Sequence, residues 1–107
     1  MDQNLEKKNH YNFLYPYYQM LLTQKQQDVF EDYYFNDYSL SEIAEAFDVS
    51  RNAIWDILKK VERNLDDYEE KLGLFKKNQA INKALDELVI YTNEKGKEII
   101  NKIKEME

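Results

Sequence analysis

The sequence predicts an all-α protein built around a helix-turn-helix, and three observations carry that prediction. Two Gly and one Pro in 107 residues leave few places for tight turns. Apolar residues recur at spacings of three and four along most of the chain, while strand-like alternation is nearly absent. Finally, SLSEIAEAFDVSRNAIWDILKK at 39–60 has the layout of two short helices around a turn. Hydrophobic residues make up 43%, with nine Tyr and five Phe, enough for a real core in a chain of domain size.

Taken in order, Met1 to Asn4 reads as a frayed end. Leu5, Phe13, Leu14, Tyr17, Tyr18, Leu21 and Leu22 mark a first helical region, with a break or new first turn expected at Pro16, which has no amide to donate. Thr23 is an N-cap, with Gln26 placed to complete a capping box. Val29, Phe30, Tyr33 and Tyr34 form one face of the second helix, which should stop near Asn36–Asp37. Ser39 or Ser41 caps the third helix, whose buried stripe is Ile43, Ala44 and Phe47. Ser50 caps the fourth, whose apolar period runs Ile54, Ile57, Leu58, Val61, Leu65 toward Leu72, with Gly73 as a stop.

Between these two helices the constraints of the motif are met. Ala44 supplies the small residue at the crossing, Val49 the apolar residue of the turn, and Asp48 the position that needs positive φ. Beyond Gly73, Ile81, Leu85, Leu88, Ile99, Ile103 and Met106 predict one long amphipathic helix that needs a partner surface, bent or frayed at Gly96. The organisation expected is a helix-turn-helix domain over 1–74. The helix over 75–107 belongs to the same domain or acts as a dimerisation element, which makes a homodimer the expected state.

Composition excludes much. There is no Cys, so neither a disulfide framework nor a thiolate metal site is available. No run approaches the roughly 18–20 apolar residues that span a bilayer, and the N-terminus has no apolar signal core, so a cytoplasmic protein without membrane insertion is expected. The single His, His10, lies near an end, and neither a Gly-rich phosphate loop nor a spaced ligand set is present. The expectation is a non-enzyme with no cofactor and no metal.

The outer face of the fourth helix carries the candidate contacts. Ser50, Arg51 and Asn52 stand at its N-terminus, where side chains of such motifs reach base edges or phosphates. Arg pairs with guanine and Asn with adenine through two hydrogen bonds each. Trp55 follows, then Lys59 and Lys60, which read either as phosphate contacts or as a solvated lysine pair, with Arg63 beyond. Trp55 has two readings, a base stacker or a helix-packing residue, and the second is favoured. From Ser50 to Arg63 the net charge is +2, but from Lys25 to Asp48 it is −6, and the whole chain carries −6. Phosphate neutralisation supplies most non-specific DNA affinity, so strong autonomous binding is not expected. The acidic run DDYEE at 66–70 reads mainly as a solvated helix face, and the tyrosines mainly as core or interface residues.

The span from Leu22 to Leu72, with LTQKQQDVFEDYYF ahead of the motif and Leu65 after it, resembles region 4 of the sigma-70-type transcription factors. With Phe13-Leu14-Tyr15 and DDYEEKL at 66–72 included, the stretch from about Tyr11 to Leu74 resembles the YlxM family of small bacterial helix-turn-helix proteins. The resemblance implies an all-helical fold with a sigma-region-4-like motif and a long C-terminal helix. It also implies a role beside the signal recognition particle, because genes of that family tend to neighbour those of the particle. Ser50, Arg51 and Asn52 carry across as nucleic-acid contacts, while Trp55 stands where relatives tend to have a smaller aromatic. Two functions follow as expectations: a regulatory DNA-binding protein linked to the targeting pathway, or an adaptor that binds a protein or RNA of that pathway through acidic and aromatic surface. DNA and signal-recognition-particle components are the corresponding partners.

Overall fold

The structure is a computed structural model that describes the backbone of residues 2–106 and the side chains of residues 5–106. The helices are α1 (Asp2–Tyr18), α2 (Gln24–Tyr34), α3 (Leu40–Phe47), α4 (Arg51–Leu72), α5 (Leu74–Leu88) and α6 (Glu94–Glu105). Short 3-10 turns at Gln19–Leu21 and Val89–Tyr91 follow α1 and α5, and no strand occurs among the described residues. The chain divides into two compact units, Met1–Leu72 and Gly73–Glu107.

In the first unit α4 is the spine, and α1, α2 and α3 all pack on it. Its buried stripe, Ile54, Leu58, Val61 and Leu65, meets Leu14 and Tyr18 of α1, Val29 and Phe30 of α2, and Ile43 of α3 in one core. Burying a side chain of this kind stabilises by about 1.5–3 kcal/mol relative to exposure. Tyr15 and Tyr34 stack on the two sides of Phe30, at centroid distances of 4.2 and 4.3 Å.

The local signals set the element ends. Thr23 Oγ1 accepts from the Gln26 amide and Ser39 Oγ from the Glu42 amide, and each partner side chain reaches back to the cap amide, so both capping boxes are complete. Ser39, not Ser41, is therefore the cap of α3. Asp48 ends α3 with φ 55° and ψ 48°, the left-handed conformation that its short polar side chain tolerates. The Val49 amide then closes the turn onto the Ala44 carbonyl at 3.0 Å.

One expectation about α1 is corrected. No break occurs at Pro16, and α1 continues to Tyr18. Only the last turn of the helix lies beyond the missing amide, and Tyr15 and Tyr18 on either side of Pro16 are both buried, so packing holds that turn in place. Of the Met1–Asn4 stretch expected to fray, Asp2 onward opens α1, and Met1 lies outside the described residues.

The second unit is not one long helix. Gly73, at φ 60°, separates α4 from α5. The chain then leaves helical conformation at Thr92 and Asn93, both extended, and Asn93 Oδ1 caps the new helix by accepting from the Gly96 amide at 2.9 Å. The interruption thus lies ahead of Gly96, which belongs to the first turn of α6 rather than to a helix interior. Lys104 Nζ reaches Asp86 Oδ1 across the resulting pair of helices. Leu85 and Ile100 are the buried residues of this unit among those described. No helix is long and apolar enough to cross a membrane among the described residues.

Candidate nucleic-acid interface

The motif positions α4 with its N-terminus free of the core. Ser50 Oγ accepts from the Ala53 amide at 3.0 Å, so its oxygen satisfies one of the unpaired amides of the first turn. This makes Ser50 a cap first, whatever else its hydroxyl donates to. Arg51 and Asn52 follow it and are exposed, as the sequence expects of residues that reach outward. Lys60 and Arg63 are exposed further along, and Arg51, Lys60 and Arg63 carry no ion pair among the described residues.

Trp55 and Lys59 have a different setting. Trp55 is 45% exposed, so it neither packs into a helix interface nor stands clear of the protein. Lys59 Nζ lies 4.1 Å from its ring centroid, a cation–π contact. The same ammonium donates to Glu62 Oε1 at 3.3 Å, and Lys7 Nζ of α1 approaches that oxygen to 3.2 Å. Tyr34 of α2 donates its hydroxyl to Glu62 Oε2. Lys59 is therefore engaged by the protein itself and is a poor phosphate grip. The neighbouring Lys7 ammonium holds its pKa below the ordinary lysine value, with partial burial acting the same way and Glu62 opposing both.

Glu62, Tyr34 and Lys7 are residues that sequence reasoning missed. Glu62 is the one buried charged residue among those described, at 6% exposure. A buried carboxylate persists only when paired and hydrogen-bonded, and here three groups from α1, α2 and α4 do both. The available signal was its position, since Glu62 interrupts the stripe formed by Leu58, Val61 and Leu65.

The acidic run is also more structural than expected. Asp66 accepts from the Tyr11 hydroxyl and pairs with His10 Nε2, each at 2.7 Å, and Glu69 accepts from the Tyr18 hydroxyl at 2.6 Å. Two of these carboxylates thus bind α1 to α4, while Asp67 pairs with Lys71 at 3.0 Å. Burial, and then hydrogen bonds to Asp66, Glu31 and Glu62 respectively, push Tyr11, Tyr15 and Tyr34 well above the usual phenol range. On α3, Glu42 and Glu45 remain exposed beside Asp48, so the first helix of the motif presents negative charge. Glu42 is held below the ordinary carboxylate value by its bonds to the Ser39 backbone and then the Ser39 side chain.

Comparison with known proteins agrees with this architecture. The family described as "Putative helix-turn-helix protein, YlxM / p13 like" matches residues 5–106. A UPF0122 protein of Geobacillus sp. is 43% identical over 106 residues, covering 96% of each chain. One of Oceanobacillus iheyensis is 44% identical over 104 residues, covering 96% of this chain and 99% of its own. One of Listeria welshimeri is 53% identical over 83 residues, covering 78% and 76%. With the match running through both units, the chain belongs to the UPF0122 family of YlxM / p13-like proteins.

Proposed function

We propose that this is a helix-turn-helix regulatory protein that reads duplex DNA through the N-terminal part of α4. The observation that carries the reading is the exposure of Arg51 and Asn52 directly after the Ser50 cap, on a helix whose opposite face is sunk in the core. That is the placement from which such motifs reach base edges in the major groove. Lys60 and Arg63 supply phosphate contacts. A place for this activity in the signal recognition particle pathway is supported by the YlxM likeness of the sequence.

Three available cations imply modest affinity and a shallow salt dependence, with a slope of log K against log salt of about −3. Fluorescence anisotropy with pooled genomic duplexes at low ionic strength tests the reading. Binding should appear, and Arg51→Ala or Asn52→Ala should weaken it about tenfold at the preferred sequence. Absence of binding at low salt, or variants that bind like the parent, would overturn it.

A second reading is favoured by the commitment of Lys59 to Glu62 and by the exposed carboxylates Glu42 and Glu45 on α3. In it the motif is a scaffold, and the protein is an adaptor whose acidic face meets a basic component of the targeting pathway, protein or RNA. Immobilised protein that retains neither the particle's GTPase nor its RNA at physiological salt would count against the adaptor.

A further inference from the structure

Beside α4 lies a pocket of about 480 Å³ lined by Leu5, Lys7 and Lys8 of α1, Tyr33 and Tyr34 of α2, and Trp55 of α4. Its volume falls in the range of small-molecule sites, about 300–1,000 Å³. Three features give it a chemistry. Two aromatic rings, Trp55 and Tyr33, form part of its wall, and each has a lysine over its face, Lys59 at 4.1 Å and Lys8 at 4.8 Å. Two ammonium groups, Lys7 and Lys59, share a single oxygen of Glu62, so among the described residues two positive charges face one carboxylate. Among the described residues Lys8 is opposed by Asp37, at 3.6 Å, whose side chain is 94% exposed and gives a pair that water and salt largely screen. In a chain of net charge −6 this is a locally cationic, aromatic cleft.

We propose that this pocket binds a nucleobase together with its phosphate, the base against Trp55 and Tyr33 and the phosphate on Lys7 and Lys8. Aromatic faces accept any unstacked base, and lysines at the rim fix the anion. Trp55 is 45% exposed, which leaves ring area for such stacking. A base within duplex DNA is unavailable to the pocket, so the ligand is either a free nucleotide or an unpaired nucleotide of a single strand. The site shares Trp55 with the outer face of α4, but it does not depend on that face reading a duplex.

Trp55 is the single Trp of the chain, so tryptophan emission, excited beyond the absorption of the nine tyrosines, reports on this pocket. The intact protein is titrated with nucleoside monophosphates and, separately, with short single-stranded DNA and RNA. Saturable quenching is expected in at least one arm. Quenching by monophosphates assigns a free nucleotide, and quenching by oligonucleotides alone assigns a strand. Tyr33→Leu should weaken binding about tenfold, through loss of stacking. Lys8→Ala, which touches no buried group, should weaken it about threefold, with the loss shrinking at high salt. Arg51→Ala should leave it unchanged while weakening duplex reading about tenfold, which separates failure of the one site from failure of the other. No saturable quenching in either arm, or quenching indifferent to both Tyr33→Leu and Lys8→Ala, would overturn the assignment.

Discussion

Glu62 occupies a position where the period of α4 calls for a hydrophobe, and its three partners make the substitution consequences specific. Tyr34→Phe leaves one oxygen of a buried carboxylate without a donor, at a cost of about 1–3 kcal/mol. Glu62→Met removes the charge but orphans the buried Tyr34 hydroxyl, at a similar cost. The double variant removes both polar groups from the same place, so its cost should fall short of the sum by about 1 kcal/mol or more. Denaturant melts of the four proteins decide this, and strictly additive losses would show that the two groups do not act as a pair. The same tyrosines set an alkaline limit. Tyr11, Tyr15 and Tyr34 keep their protons in the fold above the ordinary value of 10.0, while the unfolded chain releases them there. Their contribution is therefore fully present below pH 10.0 and is lost as pH rises through the higher folded values. The melting temperature should drop steeply above that point, in step with tyrosinate absorbance, and a flat profile would contradict the assignment.

At the scale of elements, what could be read from sequence was local and what could not was long-range. Thr23, Ser39 and Ser50 are caps because a hydroxyl three residues ahead of an amide suffices, whatever the tertiary fold. Asp48 and Gly73 mark helix ends for equally local reasons. Passage of α1 through Pro16 depends instead on burial of Tyr15 and Tyr18 against other helices. The break between α5 and α6 had a local signal in Thr92-Asn93, but the apolar period masked it. Leu88 and Ile99 stand eleven positions apart, about three helical turns, so the stripe stays in phase across the interruption. In the candidate interface the exposure of Arg51 and Asn52 was legible from the motif, whereas the approach of Lys7 from a distant helix to the Glu62 oxygen that Lys59 also holds was not. The new boundary has its own test. A Cβ on Gly96 would stand 1.8 Å from Thr92 Oγ1, so Gly96→Ala must shift the side chain of the residue that precedes the cap. Despite the better helix propensity of Ala, worth about 1 kcal/mol, Gly96→Ala should lower helicity and the melting temperature by circular dichroism. A Thr92→Ala background should recover part of the loss, and equal losses in both backgrounds would remove the steric explanation.

For the whole molecule, the unresolved balance is between a −6 charge and a proposed anionic target, and the second unit offers the way to meet it. Gly73–Glu107 is shorter than the about 40 residues below which a unit usually needs a metal, a disulfide or another chain. It leaves Leu88, Ile90, Tyr91, Ile99, Ile103 and Met106 exposed, more contiguous apolar character along a helical pair than isolated exposed residues would give. A second copy of the chain is the expected cover. Pairing would place two recognition helices in one particle and double the available cations from three to six, which converts weak single-site contact into binding of two half-sites. The salt slope of duplex binding would then move from about −3 for a monomer toward about −5 for the pair. Ile99→Asp with Ile103→Asp puts two carboxylates into the proposed seam while leaving the first unit untouched. Light scattering should show a dimer for the parent and a monomer for this variant, with the salt slope falling in parallel. If the parent is monomeric at tens of micromolar (about the concentration such measurements use) or if the variant changes neither mass nor slope, the exposed stripe does not join two copies.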